Sequence, residues 1–198
     1  MALTMTILLI IPAIVLAYLM LMFVVSQLVI PNLGFKAKIS DELPLEVKRE
    51  VAKIARNSRT RRMLLEKILE FQLSNFYSEM HQVWNQFSLL FEDSFQKLWD
   101  KKGFLHCHQQ AYVLRRLLLE TKRFSEDDLA YRITFCYGNI HEYLLVNIGD
   151  SENKEWIKVD AYAMSLGFRL GEVLPHLAYP VIARRGLKIH GKVGYKLL

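Results

Sequence analysis

The chain has 198 residues, of which 52% are hydrophobic and 23% are charged, and its formal net charge is +6. These values predict one or two domains with a buried core, and they exclude a disulfide-stapled miniprotein, a disordered chain and a polytopic membrane protein. The mean hydropathy of +0.13 is slightly high for a globular chain. Because residues 5–30 contain no charged side chain, most of this excess lies near the N-terminus.

This uncharged run is longer than the roughly 20 apolar residues that a helix needs to cross a bilayer. We therefore predict a transmembrane helix, with residues 1–30 as a membrane anchor. A cleaved signal peptide is the less favoured alternative, because no Lys or Arg precedes the run. A buried core helix is another alternative, but covering an all-round apolar helix would require most of a domain of this size.

Basic residues follow the run and none precedes it. Since Lys and Arg are enriched on the cytoplasmic side of membrane spans, we expect a single-pass membrane protein with residues 31–198 in the cytoplasm. Attraction to anionic lipid head groups explains the cluster of basic residues that follows the run. The sequence shows no nucleic-acid-binding motif, so a lipid bilayer is the expected partner of this region and a nucleic acid is not.

Residues 31–102 are predicted to form a juxtamembrane linker and a helical subdomain. Pro44 suits the first turn of a helix that ends near Arg56. A break is predicted over residues 57–60. Beyond it, apolar side chains recur at helical spacing, and the aromatic-rich pattern continues helically through residues 76–99, where the rings are interpreted as core residues.

The pattern changes at Gly103, where a predicted core and C-terminal tail over residues 103–198 begins. A helix is predicted over residues 108–121, because apolar residues recur on one face. Three strand-like runs, separated by short connections, follow it: residues 131–137, 141–148 and 155–161. A helix followed by an antiparallel meander predicts an α+β fold.

The two cysteines, Cys107 and Cys136, have different settings. A disulfide between them is disfavoured by the predicted cytoplasmic location. Cys136 lies within a strand pattern and is interpreted as a core residue. Cys107 lies at the start of a helix, where unpaired amides and the helix dipole stabilise a thiolate. A thiolate nucleophile needs a base that is oriented by a polar group, and His141 and Asp160 offer such a pair.

The expected strand register brings this pair together. We predict that Ile148 lies opposite Glu155 in an antiparallel hairpin. His141 then falls opposite Tyr162, and Asp160 becomes its diagonal neighbour on the same face. A slip of one residue would turn the two side chains to opposite faces, so a hydrogen bond between them tests the register.

Three strings around these residues resemble the transglutaminase-like core of the papain-like cysteine protease superfamily: GFLHCHQQAYVLRRLLLE, GNIHEYLLVNI and EWIKVDAYA. In that core, a cysteine heads a helix packed on an antiparallel sheet, and a histidine and an aspartate stand on successive strands. The resemblance covers residues 103–163, roughly a third of the chain. It implies a catalytic triad of Cys107, His141 and Asp160.

The resemblance implies a thiol enzyme that acts on a protein or peptide substrate without a cofactor, and the predicted anchor would make this enzyme membrane-bound. Cys107 attacks an amide carbonyl to form a thioester, His141 activates the thiol and protonates the leaving amine, and Asp160 orients the imidazole. Hydrolysis, as in a cysteine protease, is favoured over transamidation. Trp99 is the candidate oxyanion donor. Other upstream side chains with an indole or amide donor are alternatives: Trp84, Gln86 and Gln96.

Two other interpretations remain open for the same residues. His106, Cys107 and His108 include good zinc ligands, but alternate residues do not share a face of a helix, and the sequence lacks a second Cys/His pair at zinc-finger spacing. The other interpretation is a non-catalytic, membrane-tethered interaction module with the same fold. The oligomeric state stays open.

Overall fold

The computed structural model describes residues 2–34, 42–79, 82–136, 139–150 and 152–174. These residues form helices and two small sheets joined by loops, which confirms the predicted α+β class. Most of the predicted C-terminal tail lies outside the described residues.

The described helices and strands follow one another in chain order. The α-helices are α1 (Ala2–Met20), α2 (Ser26–Val29), α3 (Leu45–Arg56), α4 (Arg61–Asn75), α5 (Gln82–Asn85), α6 (Phe95–Lys101), α7 (Cys107–Glu120) and α8 (Ala161–Ser165). The strands are β1 (Phe76–Tyr77), β2 (Gly103–Phe104), β3 (Leu129–Cys136), β4 (Asn139–Asn147) and β5 (Trp156–Val159). A π-helix spans Leu21–Val25, and 3-10 helices span Phe87–Phe91 and Glu126–Asp128.

The N-terminal apolar run is not one continuous α-helix. α1 ends at Met20, a π-helix of five residues follows, and the four residues of α2 end before Ile30 turns to an extended conformation. At about 1.5 Å per residue, α1 extends about 28 Å, slightly less than the roughly 30 Å of a bilayer's hydrocarbon core. Within the described ranges, no helix has both the length and the apolar character needed to cross a membrane. The predicted transmembrane anchor and the single-pass membrane localisation are therefore wrong, and the predicted orientation of residues 31–198 loses its basis.

The helices α3 and α4 form where the sequence predicts them. α3 begins after Pro44 and buries Val47 and Val51. The predicted break over residues 57–60 is confirmed, and it ends at Thr60, whose hydroxyl accepts a hydrogen bond from the Met63 amide at 3.1 Å. This side-chain cap satisfies one of the amides that the first turn of α4 leaves without an intrahelical partner.

The continuous helical pattern predicted over residues 76–99 is wrong. This stretch begins with β1, which pairs in parallel with β2, and it continues through α5 and a 3-10 helix into α6. Tertiary hydrogen bonds take the place of helical ones, because Gln109 on α7 donates to the carbonyl groups of Leu89 and Glu92. Ser94 then caps a new helix by accepting from the Lys97 amide.

The sheet that carries the candidate site is the predicted antiparallel meander, with the order β3–β4–β5. Ile148 N donates to Glu155 O at 2.8 Å, and Leu144 pairs with Val159 in the same register. The predicted register is therefore confirmed. β5 ends at Val159, two residues earlier than predicted, because Asp160 caps α8.

The helix α7 lies at the centre of the main hydrophobic core. Its Leu114 and Leu117 are fully buried, in one cluster with Val51 of α3, Leu65 of α4 and Leu144 of β4. The helical segments before residue 102 and the helix-and-sheet region after it therefore share this core. The packing holds the N-terminus of α7 in a fixed position relative to the sheet.

Candidate active site

Cys107 is the first residue of α7, one residue earlier than the predicted start of the helix. The preceding residue, His106, forms a capping box with Gln109, whose Oε1 accepts from the His106 amide at 3.2 Å. Cys107 is an intermediate, partly exposed residue, whereas both flanking histidines are buried. The thiol therefore lies at the N-terminus of a helix that packs in the main core.

The predicted hydrogen bond between His141 and Asp160 is confirmed. His141 Nε2 lies 2.7 Å from Asp160 Oδ2, and both side chains are buried. The carboxylate also accepts from the Ala163 amide at 2.9 Å and from the Leu174 amide at 3.0 Å. These backbone donors fix the carboxylate, which in turn fixes the plane of the imidazole.

Two imidazoles lower the pKa of the Cys107 thiol. Burial raises its pKa, but hydrogen bonds to the side chains of His108 and His141, together with their charge, outweigh this effect and lower the pKa to about 6. Burial lowers the pKa of His141, but the charge of Asp160 and the contact with Cys107 outweigh it and raise the pKa to about 10. Between these pH values, the coupled pair exists as thiolate and imidazolium.

The two ring nitrogens of His141 have separate partners. Nε2 is taken by Asp160, so Nδ1 is the nitrogen that remains for Cys107. An imidazolium in this position donates one proton to the carboxylate and one to the thiolate. The structure thus brings together Cys107, His141 and Asp160, the three residues that the resemblance implies as a catalytic triad.

Aromatic rings pack on the imidazole of His141. The ring centroid of Tyr162 lies 5.6 Å away at an interplanar angle of 69°, and that of Tyr143 lies 6.5 Å away at 29°. Burial and nearby negative charges raise the pKa of Tyr162 above its ordinary value, so its hydroxyl is neutral at physiological pH. The predicted register placed Tyr162 opposite His141 but assigned it no role at the site.

Trp99, the candidate oxyanion donor, lies in an aromatic cluster on the helical side of the core. Its ring stacks on Phe95 at a centroid distance of 5.6 Å and contacts Phe71 and Phe76 at 5.3 Å. The side chain is buried. These contacts account for Trp99 as a core residue, and its assignment as an oxyanion donor stays a prediction.

The alternative oxyanion donors have other contacts. The Gln86 side chain accepts from Lys101 Nζ at 2.9 Å, and Gln96 donates to Asp100 Oδ1 at 2.8 Å. The side chain of Trp84 lies outside the described residues. The amide of Cys107 itself remains as a donor, because the first amides of an α-helix have no intrahelical partner.

The histidines beside Cys107 bind backbone carbonyl groups. His106 Nε2 contacts Gln86 O at 3.0 Å, and His108 Nε2 contacts Leu90 O at 3.2 Å. A carbonyl can only accept, so each Nε2 carries a proton and is committed to this bond. Among the described residues, no group of three or more His, Cys, Asp or Glu side chains is placed to hold a metal ion.

Both cysteines are free thiols. Cys136 is buried in a small cluster with Tyr162 and Phe168, as the strand pattern predicts for a core residue. The effect of His108 on the pKa of the thiol was missed by sequence reasoning, which considered this residue only as a zinc ligand. Its position directly after Cys107 was the available signal.

Comparison of the chain with protein-family models, curated proteins and solved structures gives no match.

Proposed function

We propose that this protein is a transglutaminase-like thiol enzyme that cleaves or transfers an amide acyl group through a thioester. The observation that carries the proposal is the buried hydrogen bond between His141 and Asp160, whose imidazole lowers the pKa of Cys107, a partly exposed residue at a helix N-terminus. A merely structural cysteine does not require a buried imidazole–carboxylate pair beside it.

The geometry supports an acylation step with Cys107 as the nucleophile. The thiolate attacks the carbonyl carbon of an amide, and a C–S bond forms as the carbonyl oxygen takes the negative charge. His141 then delivers its Nδ1 proton to the amide nitrogen, the C–N bond breaks and the amine leaves. The amide of Cys107 points out of the first turn of α7, where it can stabilise the oxyanion.

Deacylation uses the same groups. Neutral His141 accepts a proton from water at Nδ1 as the water oxygen attacks the thioester carbon. The C–S bond breaks, a carboxylic acid leaves, and the thiolate–imidazolium pair is restored. Asp160 stabilises the imidazolium in both steps through its bond to Nε2.

Water is the proposed acceptor, so the activity is that of a cysteine hydrolase on a protein or peptide amide. An amine acceptor at the same step would give transamidation. Neither reaction requires a cofactor, since the residues above supply the nucleophile, the base and the orienting carboxylate.

Selective alkylation tests the proposal. At pH 6–7, iodoacetamide is expected to label Cys107 much faster than Cys136, because the pKa of Cys107 is lowered and Cys136 is buried. Cys136→Ala isolates the signal from Cys107, and Cys107→Ala is the matched control. A thiol-directed peptide probe then tests whether Cys107 and His141 react together with a peptide. The probe should label the wild type and Cys136→Ala but not Cys107→Ala or His141→Ala. Equal, slow labelling of both cysteines would contradict the proposal and support a non-catalytic interaction module.

A further inference from the structure

Two phenylalanines of the 3-10 helix that precedes α6 are exposed and lie in contact with each other. Phe87 is 52% exposed and Phe91 is 44% exposed, and their ring centroids are 5.7 Å apart at an interplanar angle of 76°. Other phenylalanines belong to the main core and are buried: Phe76, Phe95 and Phe104. An apolar patch that is left in water typically marks a place where a ligand or a partner binds.

The backbone that carries this aromatic pair, Phe87 and Phe91, is bonded to both neighbours of Cys107. His106 Nε2 binds Gln86 O at 3.0 Å, and His108 Nε2 binds Leu90 O at 3.2 Å. Each of these carbonyl groups belongs to the residue directly before one of the two phenylalanines. The residues on either side of the proposed nucleophile therefore hold the aromatic pair beside the first turn of α7.

Further contacts fix the 3-10 helix in place. Gln109 Nε2, from the same first turn of α7, donates to Leu89 O at 2.6 Å and to Glu92 O at 3.2 Å. The side chain of Leu89 is buried in the main core. The 3-10 helix thus turns one apolar side chain inward and leaves the aromatic pair on its outer side.

The position of the aromatic pair suits a side chain of a bound peptide. The path from Cys107 to Phe87 crosses one imidazole and one hydrogen bond, a distance on the order of 10 Å. An extended peptide covers this distance in about three residues. Aromatic rings bind apolar side chains by removing both surfaces from water, and a polar side chain gains little from them.

The acyl side of the substrate is the part that uses such a surface in both steps of the reaction. After the amine leaves, only the acyl part remains attached to Cys107 in the thioester. Contacts made by its side chains therefore hold the substrate during acylation and the intermediate during deacylation. Contacts on the amine side are lost when the C–N bond breaks.

We propose that Phe87 and Phe91 select a peptide substrate with a bulky apolar side chain on the acyl side, within about three residues of the carbonyl that Cys107 attacks. This inference rests on the proposed function, and it names the class of substrate for the same site. The selected side chain does not react, so its contact with the rings raises affinity and leaves the chemical step unchanged.

Vinyl sulfone tripeptide probes test this selection on the full chain. In each pair of probes, one of the three positions carries Leu or Asn and the other positions carry Gly. Leu and Asn have nearly the same shape, so the comparison isolates polarity. For at least one position, we expect kinact/KI of the wild type to be about tenfold higher with the Leu probe, and the difference should lie in KI.

Substitution of the aromatic pair should remove the preference. In the double variant Phe87→Ser with Phe91→Ser, the Leu probe should react as slowly as the Asn probe, because the apolar surface is lost. Leu45→Ser is the matched control, since Leu45 is also an exposed apolar residue, at 61%, but lies on α3. Leu45→Ser should keep the preference, and iodoacetamide labelling of Cys107 should be unchanged in every variant.

The outcomes distinguish this inference from the proposed function. If Cys107 of the wild type is alkylated faster than Cys136 but the Leu and Asn probes react equally, the inference alone is overturned. A preference that survives in the double variant also overturns it, as does a dimer that the double variant loses while the probe preference stays. If the double variant unfolds and exposes Cys136, the two single variants decide, and an unchanged preference in both overturns the inference. Equal, slow alkylation of both cysteines in the wild type instead removes the proposed function.

Discussion

His141 and Asp160 form a hydrogen bond of 2.7 Å although they belong to different kinds of element. His141 lies within β4, whereas Asp160 follows β5 and is the N-cap of α8. The carboxylate divides its oxygens between these tasks: Oδ1 accepts from the Ala163 amide, and Oδ2 accepts from His141 and from the Leu174 amide. One side chain thus both begins a helix and orients the proposed catalytic base.

This double role predicts two effects of Asp160→Ala. Loss of the cap should lower the free energy of unfolding by about 1 kcal/mol or more, because buried amides lose their acceptor. Loss of the carboxylate should also reduce labelling by a thiol-directed peptide probe, but less than His141→Ala does, since Asp160 acts through the imidazole. Urea unfolding and probe kinetics measure the two effects separately. Full probe reactivity in a folded Asp160→Ala protein would contradict the orienting role.

The ion pair between Cys107 and His141 predicts a pH profile with two limbs. Because the pKa of Cys107 is lowered to about 6 and that of His141 is raised to about 10, the reactive pair is present between these values. Turnover should therefore fall below about pH 6, when the thiolate is protonated, and above about pH 10, when the imidazolium loses its proton. In His141→Ala, the acid limb measured by alkylation should move toward the ordinary thiol pKa, to higher pH. An unchanged acid limb in that variant would argue against the pair.

Glu142 predicts a pH dependence of stability. It lies beside His141 in β4 with 1% exposure, its Oε2 accepts from the Gly34 amide, and its Oε1 has no hydrogen-bond partner. Burial raises its pKa from 4.5 to about 8, against the opposing effects of the Gly34 amide, His141 and Arg115. The folded state thus holds the proton more tightly than the unfolded state does. Its stabilising contribution is full below about pH 4.5 and is lost as the pH rises through 8.

Glu142→Gln should remove this dependence. The neutral amide keeps an oxygen for the Gly34 amide and carries no charge at any pH, so the variant should be more stable than the wild type at pH 9, by up to a few kcal/mol. At pH 5, the two proteins should be similar. Urea unfolding at both pH values measures the difference, with the exposed Glu46→Gln as control. A parallel shift at both pH values would contradict the titration.

Trp99→Phe separates packing from hydrogen bonding at the candidate oxyanion donor. Phenylalanine keeps an aromatic ring against Phe71, Phe76 and Phe95, so the variant should fold. Because the contacts of Trp99 are those of a core residue, we expect probe labelling to change less than about threefold. A loss of about 100-fold or more at unchanged thermal stability would instead support the indole N–H as an oxyanion donor.

Local sequence patterns predicted the helices and strands whose backbone hydrogen bonds are made within the element or with a neighbouring one. α3 and α4 begin directly after Pro44 and Thr60, close to where the sequence predicts them, and the meander follows from alternating β-branched and aromatic residues. The stretch over residues 76–99 was mispredicted because its backbone bonds to distant partners: Phe76 pairs with Gly103, and Leu89 O is bound by Gln109. The helical spacing of apolar residues does not reveal that distant residues bind this backbone.

The sequence by itself determined the α+β class, the start of α7 to within one residue, and the register that joins His141 to Asp160. These follow from short-range periodicity and from the geometry of one hairpin. Only the tertiary structure decided that the N-terminal run divides at Met20, that Trp99 packs among aromatic rings, and that Asp160 caps α8 while it binds His141. The reason is physical: protonation and side-chain contacts depend on burial and on charges from elements distant in sequence, and these are set only once the helices and the sheet share a core.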